Sequence, residues 1–481
     1  MFRLLMCVSL LVLMAPSLLG DDRFAKIKPV VEIEEEVYSY VPANNGAGPT
    51  WCSGAPVLVR IGENLFASGL ETLPDVKPLH NVRWTLWKRD ASGWELQQVD
   101  PVERTREPCP LVGFANGRLM MSVNPTLVTD PDRPAGPARP ELLEFNAANP
   151  KTPPKTLSPA WDGEPQFGEH SYRFFGADAA TGEAVMLNQI SYSHKEWALL
   201  KRDGTWAAGK LMNVPSREGD IHAYRPPYNL HRFNYGSVVL KNRAAYVTGC
   251  VSYANWDRAG EKELADILKG ESARQRLGSL ANRRRMMFTW TPDIATTPFC
   301  EWLEVGSTMA NGGWLFPGDL WVAADGAAHV LWYEGPMDRR LRNERFPDIK
   351  LTHAIKYAIV RDGQIVRRVT LIEGGEGLGS EIPQSIQPRF HITPENRLLA
   401  WYYASGTDAQ GERVSENRLV EILADGTPGV PVVLPLAHPF RMAFTATPRG
   451  GSPPSNVLDL FGIRAEGPPT TLCYARVRLK D

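Results

Sequence analysis

Apolar and polar residues alternate with a period of two through most of this chain, in short runs closed by turns rich in Gly, Asn and Asp. From about residue 50 the same order returns repeatedly: an apolar run, a tight turn, a second apolar run, a variable polar loop, then two more strand-like runs. The first turns of successive units are Ile61-Gly62-Glu63-Asn64, Ala115-Asn116-Gly117, Ala180-Thr181-Gly182 and Lys241-Asn242-Arg243. They continue with Ala324-Asp325-Gly326, Pro394-Glu395-Asn396 and Arg449-Gly450-Gly451. Seven units of roughly 66 residues fit, against about 40–50 for compact propeller repeats, so the surplus is expected in loops. The pattern predicts an all-β fold, a seven-bladed β-propeller.

Two stretches extend or break that rhythm. Residues 30–40 alternate as an acidic outer strand, and the last unit shows only three good strands, ending in the basic run 474–479. Laying the first beside the last would put both termini in one blade and leave no open edge. Residues 253–287 instead space Leu264, Ile267, Leu268, Leu277 and Leu280 as on an amphipathic helix. A helical insertion is therefore expected between the second and third strands of unit four.

Residues 1–20 read as a secretory signal: Arg3, an apolar run over 4–14, then Pro16 and small residues. That run is too short to span a bilayer. The expectation is a secreted or periplasmic propeller domain over residues 21–481. It keeps Cys52, Cys109, Cys250, Cys300 and Cys473, an odd number. Export permits a Cys250–Cys300 pair, with buried free thiols the alternative. With 41 Gly and 40 Pro the chain exceeds the usual turn-former share of about 12%. A formal net charge of −1 argues against a nucleic-acid partner, so any cationic site must be a local cluster. No Gly-rich phosphate loop, H-E-x-x-H, EF-hand or G-x-S-x-G elbow occurs, and neither a cofactor nor a metal is expected.

The candidate chemistry lies in the loops. Arg173, Arg232, Arg389 and Arg441 each end a polar, aromatic-rich loop and open a strand-like run, while unit five carries Asp319 at that register. One cation at one register of a radial repeat predicts a ring of guanidinium groups, suited to anions. The same face is expected to receive Trp51, Trp314 and seven of the nine histidines: His80, His170, His194, His222, His231, His353 and His438. The densest stretch holds His222, Tyr224, Arg225, Tyr228, His231 and Arg232, stiffened by Pro226-Pro227. A second group is His170-Ser171-Tyr172-Arg173. For each residue the plain alternative is packing between blades, or pairing with a carboxylate.

This inventory suits β-elimination on an acidic polysaccharide. That reaction needs a cation on the uronate carboxylate, a base for the adjacent proton and an acid for the leaving oxygen. The expected base is His170, His222 or His231, and the acid Tyr224 or Tyr228. Arg173, Arg225, Arg232, Arg389 and Arg441, with Asp319 and Trp314, would hold the substrate.

Several second hairpins carry an Asp-Gly type turn: Asp90-Ala91-Ser92-Gly93-Trp94, Asp203-Gly204-Thr205-Trp206 and Asp362-Gly363. In these the chain resembles the sialidase-type and BNR-repeat propellers, over most of residues 50–475 and at fold level. The resemblance implies a carbohydrate-active propeller and a second reading as a sialidase-like glycoside hydrolase, which sets clustered arginines against a carboxylate. The Arg-Ile-Pro motif of that family is missing from the first strand; Tyr224-Arg225-Pro226-Pro227 is a partial echo in unit four. A third reading is a propeller that binds glycan or protein without catalysis.

Overall fold

The computed structural model describes residues 27–480, apart from 192, 217–229, 252–282, 338, 340–341, 343–346 and 380. Seven antiparallel blade sheets follow one another along the chain, with a small two-stranded pairing, Val214–Pro215 with Leu230–His231, between the third and fourth. Their innermost strands are Leu58–Ile61, Leu111–Gly113, Phe174–Asp178, Val238–Lys241, Trp314–Val322, Arg389–Ile392 and Phe440–Thr445. Consecutive inner strands touch, and the last blade packs on the first through Phe444, Phe461 and Ile463 against Leu58, Leu65 and Ala67. The result is the seven-bladed propeller that the alternation predicts. Blades four and six each carry a second short inner segment, Phe233–Asn234 and Glu381–Pro383, on the same neighbouring strand.

The period-two pattern is what builds the core. The inner strands of each blade are covered on both faces by neighbouring blades, so alternate side chains enter successive inter-blade layers. Between blades three and four, for example, Phe174, Val185 and Leu187 meet Phe233, Val238 and Val247, all buried. Each such side chain contributes about 1.5–3 kcal/mol relative to exposure.

The termini close the ring as expected. Lys28–Ser39 pairs antiparallel with Thr471–Lys480 as the outermost strand of the seventh blade. Glu32 lies 3.0 Å from Arg476 and also meets Arg478. Glu34 accepts the amides of Ala437 and His438 at 2.9 and 3.0 Å. Such solvent-facing pairs are each worth only about 0–1 kcal/mol, so the backbone ladder carries the closure. The Asp-Gly turns join third to fourth strands, and Asp203 accepts both the amide and the hydroxyl of Thr205, fixing its hairpin.

Three expectations change or fall outside the description. Of the expected helical insertion, residues 253–282 lie outside the described residues, and 285–287 already belong to the strand Arg285–Thr291. Cys250 and Cys300 are unpaired, the first buried and the second exposed, and the other three described thiols are free as well. The signal-like residues 1–20 are not among those described.

Candidate functional site

Each blade's inner strand starts on the face that receives the incoming loops, which is the face predicted to carry the chemistry. Its central feature is a segment that the sequence pattern does not predict. Residues 51–55, leading into blade one, reach across to blade four. Ser237 donates to the Gly54 carbonyl at 3.0 Å, and a Cβ on Gly54 would fall 1.7 Å from the Gly236 carbonyl oxygen. Only glycine permits backbones so close. The segment plugs the channel and sets Trp51 among side chains from blades three and four.

Around Trp51 stands a continuous aromatic cradle. Its indole lies 5.3 Å from the His170 ring, 4.6 Å from Tyr172 and 5.6 Å from Tyr235. Tyr235 continues to Phe316 of blade five at 5.0 Å. Arg232 stacks on Tyr172 at 4.7 Å and donates to its hydroxyl at 3.3 Å. Arg283, half-buried, covers Tyr235 and Phe316 at 5.3 and 4.9 Å. Tyr172 and Tyr235 meet edge to face at 5.3 Å, and burial raises the pKa of both, so both remain protonated phenols. Both tyrosines also sit at positive φ, +41° and +56°. Bulky side chains there cost on the order of 1–3 kcal/mol each, strain that gathers at binding and catalytic sites.

Beneath the cradle lies a fully buried carboxylate. Glu107 accepts the Ser171 amide at 2.9 Å and the Ser171 hydroxyl at 3.0 Å, with His170 Nδ1 at 3.0 Å. Burial alone would raise its pKa, but His170, Arg173 and Arg106 outweigh that, and Glu107 is held below the usual carboxylate range. It is therefore an anion 3.0 Å from His170 Nδ1, a charge contact without hydrogen-bond geometry. Lys195, from the third strand of blade three, is buried under Tyr172 with Nζ 3.4 Å from that residue's carbonyl oxygen.

The predicted residues distribute unequally. His170 and Arg232 join the cradle. Arg173, beside them, is 1% exposed and donates through Nη2 to the carbonyls of Glu107 and Pro108. His231 is buried in a two-residue pairing with Val214. Trp314 stands on the rim of blade five, half-buried and 5.1 Å from Tyr333, whose hydroxyl meets His353. His222, Tyr224, Arg225 and Tyr228 lie outside the described residues.

The four arginines do not form a ring. Arg389 is sealed at 1% exposure, donating to the carbonyls of Ala443 and Gly318 and to the Gln387 side chain while stacked on Phe444. Arg441 sits at a bulge between Phe440 and Met442 and faces solvent. Asp319 is buried and paired with Arg449 at 2.9 Å. The register is shared, but neighbouring blades decide which side chains reach the mouth. Glu107, Tyr172, Tyr235 and Lys195 were not assigned roles from sequence, whereas Arg283, with Arg284 and Arg285, is expected from sequence to extend positive potential outward from the mouth. Tyr172 was within reach, being part of the recurring aromatic-Arg motif; Glu107 gave no local signal beyond its flanking charge and Pro108.

No protein family matches the chain by sequence, and no curated protein does. Solved structures resemble it across nearly its full length. A PL25 ulvan lyase has a TM-score of 0.45 at 10% identity, covering 94% of this chain and 95% of its own. An α-L-arabinanase of Penicillium chrysogenum, complexed with arabinobiose, has a TM-score of 0.40 at 11% identity over 94% and 98%. The N-terminal domain of Nup159 has a TM-score of 0.38 at 8% identity over 95% and 96%. Carbohydrate-active propellers are thus among the structural neighbours, and no residue role passes from any of them at such identities.

Proposed function

We propose that the mouth binds an acidic polysaccharide and cleaves it by β-elimination. The observation that carries this reading is the convergence of His170, set beside buried Glu107, with Tyr172 and Tyr235 and the cations Arg232 and Arg283. Arg283, the more exposed cation, takes the uronate carboxylate and lets charge build on it as the α-proton leaves. His170 Nε2 accepts that proton. The C–H electron pair becomes the new ring double bond, the bond to the leaving oxygen breaks, and a tyrosine hydroxyl protonates that oxygen. Tyr235, the less enclosed of the pair, faces the substrate, with Tyr172 and Arg232 behind it. Trp51 supplies a half-exposed face against which a sugar ring stacks.

The hydrolase reading has less support. Ordinary glycosidases need two accessible carboxyl groups flanking the bond. Around His170, Glu107 is enclosed and Glu169 faces Arg106 at 3.5 Å. The test is to incubate the purified protein with uronate-containing glycans and follow the ultraviolet absorbance of an unsaturated uronate. Growth of that band, lost in His170→Asn and Arg283→Ala while melting temperature holds, is the expected result. New reducing ends without the band would favour hydrolysis, and saturable binding with neither would leave a glycan-binding propeller.

A further inference from the structure

A cavity of about 590 Å³ opens at the opposite end of the axis, where the inner strands finish. Its walls come from the ends of those strands and the first turns of all seven blades, and they are largely apolar, with Leu240, Val322, Ile392, Pro448 and Pro454 prominent. The plug at residues 51–55 lies toward the mouth, so this chamber is a separate compartment from the aromatic cradle.

Lys241 and Asp178 offset one another in its wall, but the remaining charges there and just behind it do not balance. Arg60 is fully answered by Asp459, with contacts of 2.6–3.1 Å. Arg449 in the wall and Arg389 behind it, by contrast, share one carboxylate. Asp319 pairs with Arg449 Nε at 2.9 Å, and its oxygens also accept the amides of Leu320 and Phe390 at 2.9 and 3.1 Å. Arg389 is occupied by carbonyls and an amide oxygen, which satisfy its donors but not its charge. One positive charge is left over, at residues 1–4% exposed. Nη1 of Arg449, a cavity-lining residue, is buried without a partner among the described residues. An uncompensated charge and an unmade hydrogen bond in one buried place are costly, and an anion relieves both.

We infer that this chamber binds a small amphiphilic monoanion, its head group on Arg449 and its apolar body along the wall. The volume falls in the range of small-molecule sites, roughly 300–1,000 Å³, which are likewise mostly apolar with a few placed polar groups. A bare halide would leave most of the space unfilled.

The probe is octanoate, with octanol as its uncharged counterpart, titrated into the full chain by calorimetry. Three variants separate the causes. Arg449→Lys keeps a charge for Asp319 but removes the guanidinium fork. Ala324→Trp fills the rim from an exposed turn position, where folding tolerates bulk. Arg283→Ala alters the mouth alone. Octanoate is expected to bind one to one and at least tenfold more tightly than octanol. Arg449→Lys and Ala324→Trp should each weaken it at least tenfold, and Arg283→Ala should leave it unchanged. Absence of saturable octanoate binding, equal affinity for octanol, indifference to Ala324→Trp, or loss in Arg283→Ala would each overturn the inference. Should Arg449→Lys fail to fold, Ala324→Trp and the octanol comparison still decide it. None of these outcomes depends on whether the mouth cleaves uronates.

Discussion

Replacing Lys195 by Met should stabilise this protein and impair its mouth. Nζ of Lys195 is buried 4.4 and 4.9 Å from the ring centres of Phe174 and Phe233. Burial, reinforced by the charge on Arg232 and opposed by Glu107 and Cys52, pushes the ammonium from 10.5 down to about 7. In the unfolded chain the same group holds its proton to about pH 10.4. Between those values the unfolded state binds more protons, so stability rises with pH there. Read the other way, stability available above the unfolded pKa is lost as pH falls toward 7. The full difference corresponds to about 4–5 kcal/mol, at 1.36 kcal/mol per unit. Against this stand one long hydrogen bond to Tyr172 and two ring contacts, together about 1–3 kcal/mol. Lys195→Met keeps the length and volume of the side chain and removes the penalty, for a net gain of about 1–3 kcal/mol at pH 7. Guanidinium unfolding of both proteins at pH 7 and pH 10 measures it. The advantage of the variant should shrink or reverse at the higher pH, because the parent's penalty disappears there. A difference independent of pH, or a variant less stable at pH 7, would refute the reasoning. Function should move oppositely, since Lys195 braces the carbonyl of the strained Tyr172 under the cradle.

Other outcomes follow from the same geometry. Gly236→Ala would bring a Cβ to 1.5 Å from the Thr248 carbonyl oxygen and displace the plug. It should cost about 2–4 kcal/mol and lose glycan binding, as read by melting temperature and calorimetry. Deleting residues 28–39 bares the edge of Thr471–Lys480. That variant should melt earlier and self-associate through the open edge, seen by size-exclusion chromatography. Buried His391, bonded to the Ser455 carbonyl at 2.7 Å, is pushed by burial down to about 4. Unfolded histidine protonates near 6.5, so about 3 kcal/mol present above that pH should be lost by pH 4. His391→Asn should flatten that part of an acid unfolding profile.

The propeller is legible because every blade repeats the same local instruction, a two-residue alternation ended by a turn, and because the open edge of a three-stranded last unit calls for a partner with the right charge. Lys28–Ser39 beside Thr471–Lys480 is read from those two facts alone. The mouth is legible only in part. His170 and Arg232 belong to loops whose position in the repeat places them on one face. Glu107, Lys195 and Tyr235 come from three blades and owe their roles to contacts no period encodes. The arginine register fails as a predictor for the same reason. Arg389 is captured by carbonyls of blades five and seven, and a bulge turns Arg441 outward. Direction at a strand's start is decided by packing across blades, information that lies dozens of residues away.

Chemistry in a ring of equivalent blades requires something to break the equivalence, and here the plug does so. By crossing from blade one to blade four, residues 51–55 put Cys52 over Glu107 at 3.9 Å and Trp51 against Tyr172 and Tyr235. That half of the mouth becomes an aromatic floor with a buried anion and a buried amine beneath it. The other half is sealed by Arg389 and Asp319, whose charges face the lower chamber's Arg449 instead. Under the proposed function, an anionic chain would meet Arg283, among the described residues, on the side next to His170. On that same proposal, asymmetry of this kind would set a polysaccharide's direction across the axis. It follows that moving the cation, by Arg283→Ala with Gln387→Arg on the sealed side, should not restore activity even if it restores binding. Recovery of turnover in that double variant would mean that net charge at the mouth, and not its placement beside His170, governs the reaction.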